Sequence, residues 1–171
     1  MARAVLLTPA GGLIEKVARA LEIQLAGLER SAVASKSLEN NGALVLTRDL
    51  DEAVAIANAL APEHLELQVD DPFALLPRVR HAGAIFLGRH TPEVIGDYVA
   101  GPNHVLPTGG TARFSSALGV EDFVKRSSLI HYSAKGLREA RPHVDALARV
   151  EGLQGHGAAA EVRLSERGHP S

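Results

Sequence analysis

The sequence predicts an α/β fold: a parallel-sheet half-domain over residues 1–118, then a mainly helical C-terminal arm over residues 119–171. Three observations carry that expectation. Short apolar runs alternate with stretches of helical period, the rhythm of strand–helix–strand units in layered folds. Cap and turn residues stand at the joints between them. Beyond Gly110 the chain turns small and polar, and its remaining apolar residues fall at helical spacing.

Ala4-Val5-Leu6-Leu7 reads as the first strand, and Thr8-Pro9 supplies an N-cap and a proline for the first helical position. Leu13, Val17, Leu21 and Leu28 continue at helical spacing, although Gly11-Gly12 weakens the first turn. Ala43-Leu44-Val45-Leu46 is the next strand. Asp49, with Glu52 three residues on, forms a capping-box pattern ahead of Ala53-Val54-Ala55-Ile56-Ala57. Leu65 to Val69 alternates like a strand, and Asp71-Pro72 opens another helix. Ala82 to Gly88 is a near-continuous apolar run, as in a strand covered on both faces. Thr91-Pro92-Glu93 starts one more helix by the same cap logic. Such alternation implies right-handed parallel crossovers, as in a Rossmann-like half. In the arm, Gly119 to Lys125 reads as a short helix and Leu129-Ile130-His131-Tyr132 as a strand. Leu137, Val144, Leu147 and Val150 form a helical stripe, with Pro142 starting or kinking that helix. Gly152 to Ser171 is too small and polar for a core of its own, and Ser165 to Ser171 reads as a frayed end. The arm is therefore expected to pack against another surface.

The chain has 171 residues, 46% of them hydrophobic, no cysteine and a formal charge of −2. That composition suits one domain, or a domain with a tail. Disulfides, thiolate catalysis and cysteine-based zinc sites are excluded. Nothing in the charge points to nucleic acid or an anionic membrane. Apolar runs are interrupted well before the ~20 residues of a membrane span, and Met1-Ala2-Arg3 opens no secretory signal. The expected compartment is the cytoplasm. No G-x-G-x-x-G or Walker loop occurs.

Ionisable groups gather in two Gly/Pro-rich segments, Ala61-Pro62-Glu63-His64-Leu65 and Gly96 to Gly110. Glu63 beside His64 suits water activation and proton shuttling near neutral pH. In a turn, both side chains can reach one cavity. The plainer reading is a solvated helix-to-strand loop, and residue pattern by itself favours it. Asp97 interrupts an apolar helix, as a catalytic or ligating carboxylate would, or simply as its polar face. His104 sits in a loop fixed by Gly and Pro on both sides. Glu151 and His156 flank Gly152 and Gly155, a pattern that residue type and spacing explain better as a C-terminal helix ending on glycine. His81, His90, His131, His143 and His169 have no partner pattern and read as surface or locally satisfied histidines.

These blocks, with Gly83 to Gly88, Ser115-Ser116-Ala117-Leu118-Gly119 and Glu151 to His156, resemble histidinol dehydrogenase from about Ala4 to about Leu164. The resemblance implies an NAD-dependent, zinc-containing homodimer that oxidises L-histidinol through L-histidinaldehyde to L-histidine in histidine biosynthesis. By the same resemblance Glu63 and His64 are catalytic, Glu63 activating water and His64 acting as general base and acid. His64, Asp97, His104, Glu151 and His156 meet the substrate, and Asp97 and His156 ligate the metal. The resemblance assigns no residue to NAD. It also implies that the arm crosses to the partner subunit's site. The family's Gln-x-x-His ligand pair and its large N-terminal portion have no counterpart in these residues. The expectation is thus the C-terminal part of the enzyme, with incomplete cofactor sites and no turnover by the isolated chain. The alternatives are a non-enzymatic dimerisation or scaffold fragment, or one half of a split enzyme whose partner is the missing N-terminal portion.

Overall fold

The computed structural model describes residues 2–165. His169 and all of the expected frayed end beyond Ser165 lie outside them. Contacts divide the chain into two compact units, Met1–Val124 and Lys125–Ser171.

In the first unit, β1 (Val5–Thr8) runs parallel to β2 (Ala43–Leu46), with Val5 opposite Ala43 and Thr8 opposite Leu46. Two helices connect them, α1 (Gly11–Leu25) and α2 (Ser31–Asn41), where one helix reaching Leu28 was expected. Leu28 instead lies in the intervening turn, its N–H bonded to the Leu25 carbonyl at 3.2 Å. Thr8 does not cap α1. It closes β1, and its Oγ1 accepts the Ala10 N–H at 3.1 Å, so the hydroxyl serves the turn and the helix begins at Gly11.

Asp49 caps α3 (Leu50–Leu60) as its spacing predicts, accepting the Glu52 N–H at 2.8 Å. The return bond lands one residue early: Glu52 accepts the Arg48 N–H at 2.7 Å. Ala53, Val54 and Ala57 are the buried face of α3, which ends on Ala61 at φ 48°. Pro62 disfavours a further helical residue before it, so the chain turns there. β3 (His64–Leu67) then pairs in parallel with β4 (Ala84–Leu87), His64 opposite Ala84. β3 starts one residue before the alternating segment and ends two residues short of Val69, and β4 is shorter than the apolar run Ala82 to Gly88. The two pairs are separate two-stranded ladders. In β4 Phe86 is buried while Ile85 is 37% exposed, so the strand is covered on one face and not on both. α4 (Pro72–Leu75) opens as expected, Asp71 accepting the Ala74 N–H at 3.1 Å. Val54, Leu67 and Leu75 form the core, with Leu65, Val79 and Leu87 against it. Gly119 to Lys125 is helical only as a 3-10 turn, Val120–Phe123.

In the second unit Ser133 caps α6 (Ala134–Glu151), accepting the Gly136 N–H at 3.1 Å. α6 ends on Gly152 at φ 71° and leads into α7 (Gln154–Leu164). The two helices meet through buried Ala148 and Ala160 and through Arg141, which bonds Asp145 at 3.3 Å and also Glu161. Pro142 lies within α6 and does not start it. Of the stripe, Leu137 and Val144 are half-buried, while Leu147 and Val150 are exposed. The expected strand at Leu129–Tyr132 is absent: those residues carry no ladder partner, and Leu129 is 96% exposed. Among the described residues, no helix is long and apolar enough to cross a membrane.

Candidate functional site

One further helix, α5 (Glu93–Tyr98), builds the site against β3 and β4. Thr91 does not cap it. Its hydroxyl donates to the Leu87 carbonyl at 2.8 Å, while the first helical N–H, from Glu93, is taken by Glu66 Oε1 at 2.9 Å. A carboxylate on β3 therefore anchors the start of α5. Gly96 lets the helix press onto β4: a Cβ there would lie 2.6 Å from Phe86 Cε1. Behind this contact stands His64, the first residue of β3, its ring centroid 5.9 Å from that of Phe86 and tilted by 49°.

Glu93 and Asp97 are one helical turn apart and share a face. Both carboxylates stand over His64, with Nε2 3.7 Å from Glu93 Oε1 and 3.8 Å from Asp97 Oδ1. These distances lie just outside hydrogen-bond range. Nε2 itself is shielded from solvent and has no hydrogen-bond partner among the described residues. The Glu93 carboxyl is held above its ordinary range, first by partial burial and then by the hydrogen bond and like charge of Asp97; His64 opposes this and Glu66 adds to it. One ligand atom from each of His64, Glu93 and Asp97 falls within 4.8 Å of the others. An imidazole under two carboxylates can hold a proton in transit, and the same nitrogen and oxygen donors suit a divalent cation.

The family model for histidinol dehydrogenase matches residues 1–164. The chain belongs to the histidinol dehydrogenase family. A histidinol dehydrogenase from Syntrophotalea carbinolica is 55% identical over 166 residues, which are 97% of this chain and 38% of that protein. One from Thiocapsa roseopersicina is 54% identical over 162 residues, covering 95% of this chain and 70% of that one. The crystal structure of histidinol dehydrogenase from Elizabethkingia anophelis matches with a TM-score of 0.88 at 31% identity, over 95% of this chain and 37% of the other. This chain thus spans 38% of the length of the Syntrophotalea histidinol dehydrogenase.

Among the residues singled out by the histidinol dehydrogenase resemblance, the structure brings His64 and Asp97 together. Glu63 is not in their cluster. It sits half-buried at the bend entering β3, with its main-chain carbonyl accepting the Ala84 N–H at 2.8 Å. Its carboxylate makes no hydrogen bond or ion pair among the described residues. His104 is exposed in a loop braced by the Asn103 side chain on the Val105 N–H, 2.7 Å, and by Leu118 N–H on the Val105 carbonyl, 3.0 Å. Glu151 and His156 are exposed residues of the second unit, the first ending α6 and the second in the opening turn of α7. Glu93 is the residue that sequence reasoning missed. Its signal is its place four positions before Asp97 on one helix.

Proposed function

We propose that this chain supplies the proton-handling side of a histidinol dehydrogenase site, which oxidises L-histidinol through L-histidinaldehyde to L-histidine. What carries the reading is the seating of His64 beneath Glu93 and Asp97, within residues matched to the family. Oxidising an alcohol removes a hydride from carbon and a proton from oxygen. A neutral imidazole is the side chain suited to accept that proton near pH 7. The two carboxylates, 3.7 and 3.8 Å from Nε2, stabilise the imidazolium that results. Water must next add to the aldehyde before the second hydride can leave. Glu63, uncommitted among the described residues, is the base given to that water.

Zinc comes to this reading from the resemblance, with Asp97 and His156 as the residues that would hold it. The surroundings of Asp97 fit a divalent cation, since carboxylate oxygens of Glu93 and Asp97 converge there within 4.8 Å. When bound, zinc supplies a Lewis acid that polarises the substrate oxygen. The hydride acceptor is NAD by the same resemblance. No strand among the described residues runs into a G-x-G-x-x-G turn, so these residues do not fit a dinucleotide cradle of that kind, and the steps given to this chain are proton transfers alone. Substrate contacts from His104 and Glu151, and a homodimer whose arms exchange, belong to the reading on the resemblance.

The test is a chimera in which residues 4–164 replace the matching segment of the Syntrophotalea relative. It should reduce NAD when given L-histidinol, and His64→Asn should lower that rate by about 10²–10⁴-fold. A folded chimera without histidinol-dependent NADH, or one indifferent to His64→Asn, would refute the proposal.

A further inference from the structure

Nε2 of His64 is enclosed without a partner, and buried polar atoms in folded proteins almost always find one. The carboxylates over it are Glu93 Oε1 at 3.7 Å and Asp97 Oδ1 at 3.8 Å, each about half an ångström beyond hydrogen-bond range. Distance does not choose between them, but their reach does. Glutamate has three side-chain torsions and can lower its carboxylate while its backbone stays still. Aspartate has two, so Asp97 would need help from the helix. The helix cannot supply it: α5 already lies so close to Phe86 that no Cβ fits at Gly96, the residue next to Asp97. Its first turn is also tied down, through the Glu93 N–H, to Glu66 at 2.9 Å.

We propose that Glu93 is the positioning residue of His64, accepting a hydrogen bond from Nε2–H and fixing the plane of the imidazole against Phe86. Neutral His64 then carries its proton on Nε2 and presents Nδ1 as the basic nitrogen. This also divides the labour of the cluster. Glu93 orients the ring, and the Asp97 carboxylate is left for the metal. The inference rests on the reading of His64 as the base of the proposed function, but its geometry is testable in the chain without turnover.

The experiment is ring ¹H–¹⁵N correlation spectroscopy of His64 in the full chain, uniformly ¹⁵N-labelled and treated with chelator, at neutral pH. The chain should show a cross-peak for an Nε2–H protected from exchange. Glu93→Ala should lose it while amide dispersion stays that of the folded chain, and Asp97→Asn should keep it. Glu93→Gln, which retains an acceptor oxygen, should keep a weaker, faster-exchanging peak. No protected Nε2–H in the unaltered chain, its survival in Glu93→Ala, or its loss in Asp97→Asn overturns the proposal. Should Glu93→Ala unfold, Glu93→Gln decides: an unchanged peak position and exchange rate overturns the proposal, and faster exchange upholds it. A lack of NADH production in the chimera would sink the assigned reaction and leave this result standing.

Discussion

Gly96→Ala tests the closest packing in the site. A β-carbon at that position lies 2.6 Å from Phe86 Cε1 and 2.8 Å from Cζ. Carbon atoms in good contact are about 3.5–4.0 Å apart, so ring or helix must retreat by about 1 Å. Phe86 is only 6% exposed and has little room to yield. Overpacking of this kind costs about 1–3 kcal/mol, and alanine returns about 0.5–1 kcal/mol of helix propensity over glycine. The net expectation is a loss of up to about 2.5 kcal/mol. Glu93 and Asp97 ride on the displaced helix, so the surroundings of the His64 ring must change as well. Urea denaturation gives the stability, and the ring proton shifts of Phe86 and His64 give the displacement. Gly12→Ala in α1 is the control, because nothing lies within 4 Å of its added carbon. That variant should be neutral or up to about 1 kcal/mol more stable. If Gly96→Ala matched the control in stability and left both ring resonances unmoved, the close approach of α5 to β4 would be refuted.

The C-terminus of α3, just before Glu63 and His64, is held by the Arg113 guanidinium, which donates to the Gly110 carbonyl at 2.9 Å and to that of Ala59. Arg113→Ala should lower the denaturation free energy by about 1 kcal/mol, allowing for its exposure; an unchanged urea midpoint would contradict this. Glu93 gives a pH dependence of definite sign. Its folded pKa is raised above the ordinary 4.5, by burial first and then by Asp97, so the folded state holds this proton more tightly than the unfolded state does. The stability from that group is fully present below its unfolded pKa and is lost as pH rises through the folded value. Glu93→Gln cannot titrate, so urea midpoints measured from about pH 4 to about pH 7 should fall less steeply in the variant than in the unaltered chain. Parallel profiles would show that Glu93 does not carry the effect.

What the sequence disclosed and what it hid follow the range of the interactions involved. Asp49 and Asp71 were legible as caps because each bonds an N–H three residues onward, a contact contained in the local pattern. The cap of α5 was not, because its acceptor, Glu66, comes from another element 27 positions away. Thr8 and Thr91 had the right residue type for a cap, but their hydroxyls serve the turns after β1 and β4. Leu129 to Tyr132 has the composition of a strand, yet a strand forms only where a second one offers its hydrogen bonds. α2 has no pronounced apolar stripe, so its pattern does not mark a helix between Leu28 and Ala43. At the site, residue chemistry and the family resemblance pointed to His64 and Asp97. The partnership of Glu93 with both depends on how β3, β4 and α5 meet.

Alcohol-to-carboxylate oxidation takes two hydrides, and in the proposed reaction its two halves make different demands on this chain. In the proposed reaction His64 acts from the start, and Glu63 acts when water adds to the aldehyde. The most direct measurement is therefore the NADH formed per L-histidinol consumed in a single turnover of the chimera bearing residues 4–164. The unaltered segment should give two NADH, His64→Asn essentially none, and Glu63→Gln one, with histidinaldehyde left behind. Two NADH from Glu63→Gln, at the unaltered rate, would contradict the assignment of Glu63 to the water.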